Sequence, residues 1–304
     1  MVSNTIITEK LKNINNLEVK TKVNLKDFTT FKVGGPTDIM ITPKNVDALQ
    51  KAVQVIEQND APFFILGSGS NIIVGDKGYH GIVIYMEKLD EIEINKNFIT
   101  AETGITLSRL ANKAKEAGLT GLEFASGIPG SLGGALYMNA GAYGGEMKQV
   151  VKKVIAVNQK GKQLKLSLEE LNLSYRKSIF QNKNLIAAKA VLELQPGDRE
   201  KILAKMKELN RKRREKQPLN WPSAGSIFKR PENDYAGRLV EEAGMKGVIV
   251  GGAQVSEKHA GFIVNKGDAT AADIRQLIKK VQKEVEKMSD IKLEVEPKFI
   301  GEFE

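Results

Sequence analysis

PFFILGSGSNIIV, Pro62 to Val74, is the stretch that decides the kind of fold. PFFIL is an apolar run of strand length, and a glycine-serine turn follows it directly, the order in which a dinucleotide-binding βαβ unit begins. That fingerprint requires a third glycine so that a helix can pack closely behind the turn. The corresponding position is Ile72, and Ile72, Ile73 and Val74 continue as a second strand instead of opening a helix. The Rossmann reading therefore fails. Gly67, Ser68, Gly69, Ser70 and Asn71 still form a sensible phosphate cradle, since two hydroxyls and an amide donate beside exposed backbone N–H groups.

A second glycine tract gives the first its meaning. GIPGSLGGALYMNAGAYGGE, Gly127 to Glu146, carries seven glycines. Glycine weakens a helix or strand by roughly 1 kcal/mol against alanine, so the tract is expected to be backbone with φ > 0 or in contact with a ligand rather than a packed element. A phosphate-bearing ligand is the expected partner, with a helix start beside the turn adding its positive dipole end. Ser131 and Asn139 interleave the glycines and suit hydrogen bonding to that ligand; plain tight turns are the competing reading. Two such loops are what clamping one extended dinucleotide requires.

The 304 residues hold a large core, as one elaborate domain or two to three small ones. With 41% apolar and 27% charged residues the composition is that of a soluble globular protein. No cysteine is present, which excludes disulfides, thiolate metal sites and a cysteine nucleophile. Glu9, Lys10 and Lys12 interrupt the start before a signal-like apolar core forms, and no run of eighteen apolar residues follows, so a cytoplasmic protein without membrane insertion is expected. The net charge of +9 favours anionic partners. Its densest run, Arg211, Lys212, Arg213, Arg214 and Lys216, lacks the interleaved aromatics of nucleic-acid readers and reads as a solvated helix end.

Along the chain, Val46, Leu49, Val53 and Ile56 recur at helical spacing between Asn45 and Asn59, and LSRLANKAKEAG repeats the pattern up to Gly118. HGIVIYM, EIEIN, VVKKVIAVN and NLIAAKAVLELQP read as strands. A long basic helix from Asp198 to Lys216 leads to a C-terminal unit with helices at Tyr235 to Glu242 and Ala271 to Met288 and strands at VIVGG, GFIVN and IKLEVE. Strand runs without a regular βαβ alternation make the class α+β.

Three further segments carry chemistry. SYRKSIF, Ser174 to Phe180, lies between strand-like segments; on a strand Tyr175 and Arg176 face opposite sides, and a surface Arg beside a core Tyr competes with a carboxylate-binding Arg. PSAGSIFKRP, Pro222 to Pro231, sets small residues around Ser226, suited to bringing a hydroxyl close to an anionic substrate. With only His80 and His259 in the chain, and neither nearby in sequence, a hydrolase triad has little support. LEVEP, Leu293 to Pro297, puts Glu294 and Glu296 on one strand face, ordinarily a solvated one. His80 reads as structural and His259 as either a packing or a ligand residue.

Taken in order, LGSGSN, GIPGSLGGA, NAGAYGGE, SYRKSIF, GSIFKRP and LEVEPKFIG resemble the UDP-N-acetylenolpyruvoylglucosamine reductase family over about Phe31 to Gly301. The N-terminal two thirds resemble the wider flavin-binding fold of the vanillyl-alcohol-oxidase (PCMH) type, which has no Rossmann domain. The resemblance implies an FAD-binding subdomain over 1–85, a second over 86–205 and a C-terminal α/β substrate domain over 206–304, with the last strand returning to the FAD-binding part. It implies non-covalent FAD, NADPH as hydride donor and ping-pong transfer through flavin N5 to an enolpyruvyl ether in peptidoglycan precursor synthesis.

The same resemblance carries roles onto matching residues. Arg176 and Glu296 polarise the substrate carboxylate and stabilise the enolate, with Glu296 protonated in the complex, and Ser226 protonates the adjacent carbon. Gly67, Ser68, Gly69, Ser70 and Asn71, with Gly130, Ser131, Gly133 and Gly134, hold the FAD diphosphate. Asn139, Tyr143, Lys216, Arg230 and His259 face the UDP-sugar or the nicotinamide, and no metal takes part. Only fifty positions separate Arg176 from Ser226, matching the branch without an inserted tyrosine loop. The expected partners are the UDP-sugar and NADPH, without nucleic acid, and the expected state is a monomer. A same-fold flavin oxidase acting on an alcohol or sugar is the alternative, weakened by the missing cysteine and by His80 lying outside both glycine tracts; a nucleic-acid binder is the other.

Overall fold

The computed structural model describes residues 4–182 and 184–303. Along the chain the helices are α1 (Asn4–Lys12), α2 (Val46–Gln58), α3 (Leu107–Glu116), α4 (Leu132–Met138), α5 (Arg199–Lys216), α6 (Ala236–Glu242) and α7 (Ala271–Ser289). The chain divides into two compact units, one of residues 1–21, 39–68 and 81–212 and one of residues 22–38, 69–80 and 213–304. Among the described residues, no helix is long and apolar enough to cross a membrane.

The first unit holds two apolar clusters. Ile7 and Leu11 of α1 and Leu49, Val53 and Ile56 of α2 pack with Ile39, Ile41, Ile82 and Ile84. The last four come from a four-stranded sheet in the order Leu17–Asn24, Pro36–Pro43, Tyr79–Tyr85, Phe63–Leu66. The expected stripe on α2 is buried, and Asn45 caps the helix by accepting from Ala48 N at 2.9 Å. Phe63–Leu66 runs parallel to Tyr79–Tyr85, which carries the chain out to the first glycine loop at the carboxyl end of the strand.

The other cluster fills the space between α3, α4, part of α5 and a five-stranded antiparallel sheet, ordered Gln163–Ser167, Val151–Asn158, Leu185–Glu193, Phe98–Glu102, Ile92–Asn95. Leu185–Glu193 alternates buried Ile186, Ala188, Ala190 and Leu192 with partly exposed neighbours, the period expected of a strand. On the basic helix α5, Ile202 and Met206 join this cluster, while Arg211, Arg214 and Lys216 stay exposed.

The second unit is built on α6, α7 and the antiparallel strands Ile249–Val250, Ala253–Val255 and Ile263–Asn265. Ile274, Leu277, Ile278, Val281 and Val285 form the buried stripe of α7. Its first turn is capped twice: Thr270 and Asp273 make a capping box, and the Asp76 carboxylate accepts from Ala271 N and Ala272 N at 2.8 and 2.9 Å. Ile72–Val74 is the strand expected after the first glycine loop, and it pairs in parallel with Lys298–Ile300.

Three local expectations are corrected. The second glycine tract does contain a helix: α4 starts at Leu132 and takes Gly133 and Gly134 into its first turn, where Ser131 caps it and Leu132, Ala135 and Leu136 are buried. SYRKSIF is a tight turn, not a strand, with Ser174 and Lys177 exchanging backbone bonds of 3.1 and 3.2 Å and Arg176 at φ +55°. IKLEVE is not a strand but makes one rung, Phe228 against Val295. The ladder stops there because Ile227 N donates to Gly261 O instead of returning a bond to Glu296, and a strand begins at Lys298 on a different partner.

Candidate active site

In the first unit, the two glycine tracts meet. A Cβ on Gly67 would lie 2.4 Å from Ser131 Oγ, so only glycine admits this approach of the first loop to the start of α4. Ser131 is 2% exposed and caps α4 by accepting from Gly134 N. Leu132 N donates to Ile105 O at 2.9 Å and Gly133 N to Thr103 O at 2.8 Å. The first N–H groups of the helix are therefore used within the protein, and the donors left for a ligand are those of the loops. Among the described residues, the backbone N–H groups of Gly67 and Ser68, and those of Gly130 and Ser131, meet no acceptor. A glycine cradle that a Cβ would fill, ringed by unused N–H donors and the Ser68 hydroxyl, fits a dinucleotide diphosphate.

Past α4 the same unit holds Asn139, Tyr143 and Arg176. Asn139 ends α4 in the left-handed region, φ 42°, and is 2% exposed. Its Nδ2 donates to Glu146 Oε2 at 2.9 Å and to Ser174 O at 3.2 Å, and its Oδ1 accepts from Lys148 N at 2.9 Å. The expected ligand contact at Asn139 thus meets a side chain already bonded inside the protein. Tyr143 is exposed. The expectation of a core Tyr beside a surface Arg is reversed: Tyr175 is 51% exposed and Arg176 half-buried, its guanidinium 5.1 Å from the Tyr175 ring centroid. The turn, rather than strand alternation, sets these directions.

The second unit contains Gly69, Ser70 and Asn71, whose backbone N–H groups also meet no acceptor among the described residues. Gly69 at φ +62° would place a Cβ 2.0 Å from Phe28 O, so the loop is fixed against backbone there. The same unit brings Ser226, His259 and Glu296 onto neighbouring segments. Ile227 N donates to Gly261 O at 2.9 Å, Ser226 bridges Phe262, and Glu296 N donates to Ile227 O at 2.8 Å. Ser226 Oγ donates to Phe228 O at 3.1 Å. Glu294 and Glu296 differ in setting: Glu294 is exposed and pairs with Lys229 at the surface, whereas Glu296 is half-buried.

His259 Nδ1 accepts from Gly261 N at 3.1 Å, and its ring meets Phe262 edge to face at 5.1 Å. Burial holds its imidazole below the ordinary value; the charges of Lys246 and Lys216 act in the same direction, and Glu241 opposes them. Lys216 at the end of α5 is thus close enough to His259 to be felt. Arg230 stacks on Tyr235, 4.2 Å from the ring centroid. His80 stands in the strand Tyr79–Tyr85 facing Asp38 at 3.6 Å and Glu302 at 4.0 Å.

Comparison with known proteins assigns this framework. Residues 217–300 match the model of the UDP-N-acetylenolpyruvoylglucosamine reductase C-terminal domain, and residues 37–167 match that of an FAD binding domain. The UDP-N-acetylenolpyruvoylglucosamine reductase of Clostridium novyi (strain NT) is 46% identical over 303 residues, 99% of each chain. The chain belongs to the UDP-N-acetylenolpyruvoylglucosamine reductase family. The enzyme of that name from Alkaliphilus oremlandii (strain OhILAs) is 50% identical over 279 residues, 91% of this chain and 92% of its own. The crystal structure of UDP-N-acetylenolpyruvylglucosamine reductase from Thermus caldophilus aligns at a TM-score of 0.80 with 35% identity, covering 93% of this chain and 98% of that one. The fold is accordingly an FAD-binding domain of the PCMH type followed by the C-terminal domain of this reductase family.

The sequence reading passed over Gln181, Glu146 and Thr103. Thr103 O fixes the start of α4, and Gln181 Nε2 donates to Arg176 O and Tyr137 O at 3.0 and 2.8 Å. Gln181 serves two backbone carbonyls, Thr103 acts through its own carbonyl on Gly133 N, and Glu146 accepts from Asn139 Nδ2, contacts that leave no motif to read; only the terminal Glu of NAGAYGGE lay inside a quoted segment.

Proposed function

We propose that this protein catalyses the NADPH-dependent, FAD-mediated reduction of UDP-N-acetylenolpyruvoylglucosamine to UDP-N-acetylmuramate in peptidoglycan precursor synthesis. The observation that carries the reading is family membership over nearly the whole chain, with a glycine cradle of unused N–H donors where FAD binding calls for one. When bound, FAD would supply the two-electron hydride chemistry that couples NADPH oxidation to reduction of the enolpyruvyl group. Gly67 to Asn71, with Gly130 and Ser131, hold its diphosphate through backbone N–H groups, while Gly133 and Gly134, whose own N–H groups are used within the protein, keep the start of α4 clear of side chains for it.

Arg176 carries a permanent positive charge and offers its planar fork to the substrate carboxylate as that group takes up enolate charge. Glu296, protonated in the complex, donates a hydrogen bond to the same carboxylate instead of repelling it. Ser226 gives its hydroxyl proton to the carbon adjacent to the reduced methylene; in the resting chain Phe228 O holds that hydroxyl. Tyr143, Lys216, Arg230 and His259 serve the UDP-sugar or the nicotinamide, each with a cationic or hydrogen-bonding group suited to phosphate. Residues 1–85 and 86–205 form the FAD-binding part and residues 206–304 the substrate domain. The protein works as a cytoplasmic monomer, and its product supports cell shape and division.

The test is anaerobic stopped-flow absorbance of the purified holoenzyme near 450 nm. Bleaching by NADPH followed by recovery on adding the enolpyruvyl substrate is the expected result. Bleaching with recovery by an alcohol-derived or other acceptor only, or no flavin spectrum at all, overturns the reading.

A further inference from the structure

Arg176 occupies the left-handed region at φ +55°, a conformation that side-chain-bearing residues disfavour and that persists only where surrounding bonds fix it. Beside the turn's own Ser174–Lys177 bonds, side chains aimed at backbone carbonyls supply them. Gln181 Nε2 donates to Arg176 O at 3.0 Å and to Tyr137 O at 2.8 Å, joining the residue itself to the last turn of α4. Asn139, the left-handed cap of α4, donates to Ser174 O at 3.2 Å on the other flank of the turn. Glu146 fixes that amide by accepting its other N–H at 2.9 Å, and Lys148 N donates to its oxygen at 2.9 Å. Ser178 Oγ adds a third tie, donating to Tyr137 O at 2.8 Å. The Arg176 turn is thus stitched to the carboxyl end of the helix whose other end forms the glycine cradle.

We infer that Gln181 and Asn139 are positioning residues that hold the backbone of the Arg176 turn and, through it, aim the guanidinium at the substrate carboxylate. The inference rests on the reading of Arg176 given above. Neither amide can turn toward a ligand without abandoning a carbonyl it already serves, so their contribution passes through Arg176. Misplacing a charge-stabilising group by about an ångström costs on the order of tenfold to a hundredfold in rate. The loss falls on the half-reaction that uses the carboxylate and spares reduction of the flavin by NADPH.

The experiment uses Gln181→Met, which keeps the volume and removes both N–H donors. In the holoenzyme we expect NADPH to bleach the flavin at the wild-type rate and reoxidation by the enolpyruvyl substrate to slow at least tenfold. In an Arg176→Ala background the same substitution is expected to cost nothing further. Independently of turnover, amide hydrogen exchange across residues 174–182 of the apo-protein should accelerate in Gln181→Met while the α7 amides keep their protection. A second variant, Gln181→Glu, should regain reoxidation rate relative to the wild-type profile as pH falls and its carboxyl becomes a donor again. Wild-type reoxidation, or a loss fully additive with that of Arg176→Ala while exchange in 174–182 is unchanged, sinks the inference alone. An Arg176→Ala enzyme that reoxidises as fast as wild type sinks the catalytic reading of Arg176, and this inference with it.

Discussion

Gly67→Ala tests the meeting of the two glycine tracts directly. The added methyl would sit 2.4 Å from Ser131 Oγ, about 1 Å inside ordinary contact, while the next nearest atom, Ser131 Cβ, is at a comfortable 3.5 Å. Either the loop backbone retreats or the serine hydroxyl swings off the start of α4. Losing the Ser131 cap costs about 1 kcal/mol, and retreat of the loop costs a comparable amount in disturbed packing, so a loss of about 1 kcal/mol is expected by either route. For a chain of this size that lowers the apo-protein's melting midpoint by about 2 °C. FAD, held by the N–H groups beside the intruding methyl, should bind at least tenfold more weakly, about 1.4 kcal/mol.

The assays are differential scanning fluorimetry of the apo-protein and titration of flavin fluorescence. The deciding control is the double variant with Ser131→Ala, which removes the clashing oxygen. Because Ser131→Ala already gives up the cap and leaves only the 3.5 Å contact, Gly67→Ala should cost little more in that background. Additive losses in the double variant, or an unchanged FAD affinity in the single one, would refute the reasoning.

Ser226→Ala should slow flavin reoxidation by the enolpyruvyl substrate by about 10²–10⁴-fold and leave reduction by NADPH intact; single-turnover traces of each half-reaction separate the two. The pH dependence of stability follows from His259, whose pKa is lowered by burial. The unfolded chain protonates first, so the native state keeps its full margin above about pH 6.5 and loses it as pH falls from there through the folded value. Melting midpoints of wild type should drop below pH 6.5 more steeply than those of His259→Asn; parallel profiles would contradict this. Asp76→Ala frees two N–H groups at the start of α7 and should destabilise the protein by about 1 kcal/mol, with Asp76→Asn milder because it retains an acceptor oxygen; urea unfolding reads both.

What could be read from the sequence was whatever leaves a local or periodic trace. The stripes of α2 and α7 and the strand 185–193 follow from spacing, because burial on one face repeats every 3.6 or two residues. The strands around 63–66 and 151–158 were legible from residue type, as short segments rich in apolar and β-branched side chains, and the dinucleotide fingerprint fails on residue type at Ile72. The ordered glycine and Ser226 motifs were sufficient to place the chain in its family, since backbone that approaches a ligand closely restricts residue type at fixed positions. The tertiary structure decided the rest. That Gly67 packs on Ser131 is a contact across 64 positions that no window contains. Glu296 lies alongside Ile227 through one backbone rung, which ends where Ile227 N turns to Gly261 O, too short to show alternation. Arg176 points where a left-handed turn sends it, and that turn exists because amides on Asn139 and Gln181 find carbonyls near it only after the chain has folded. Side-chain bonds to backbone carbonyls carry no sequence code at the accepting end, so they become visible only when both ends are in place.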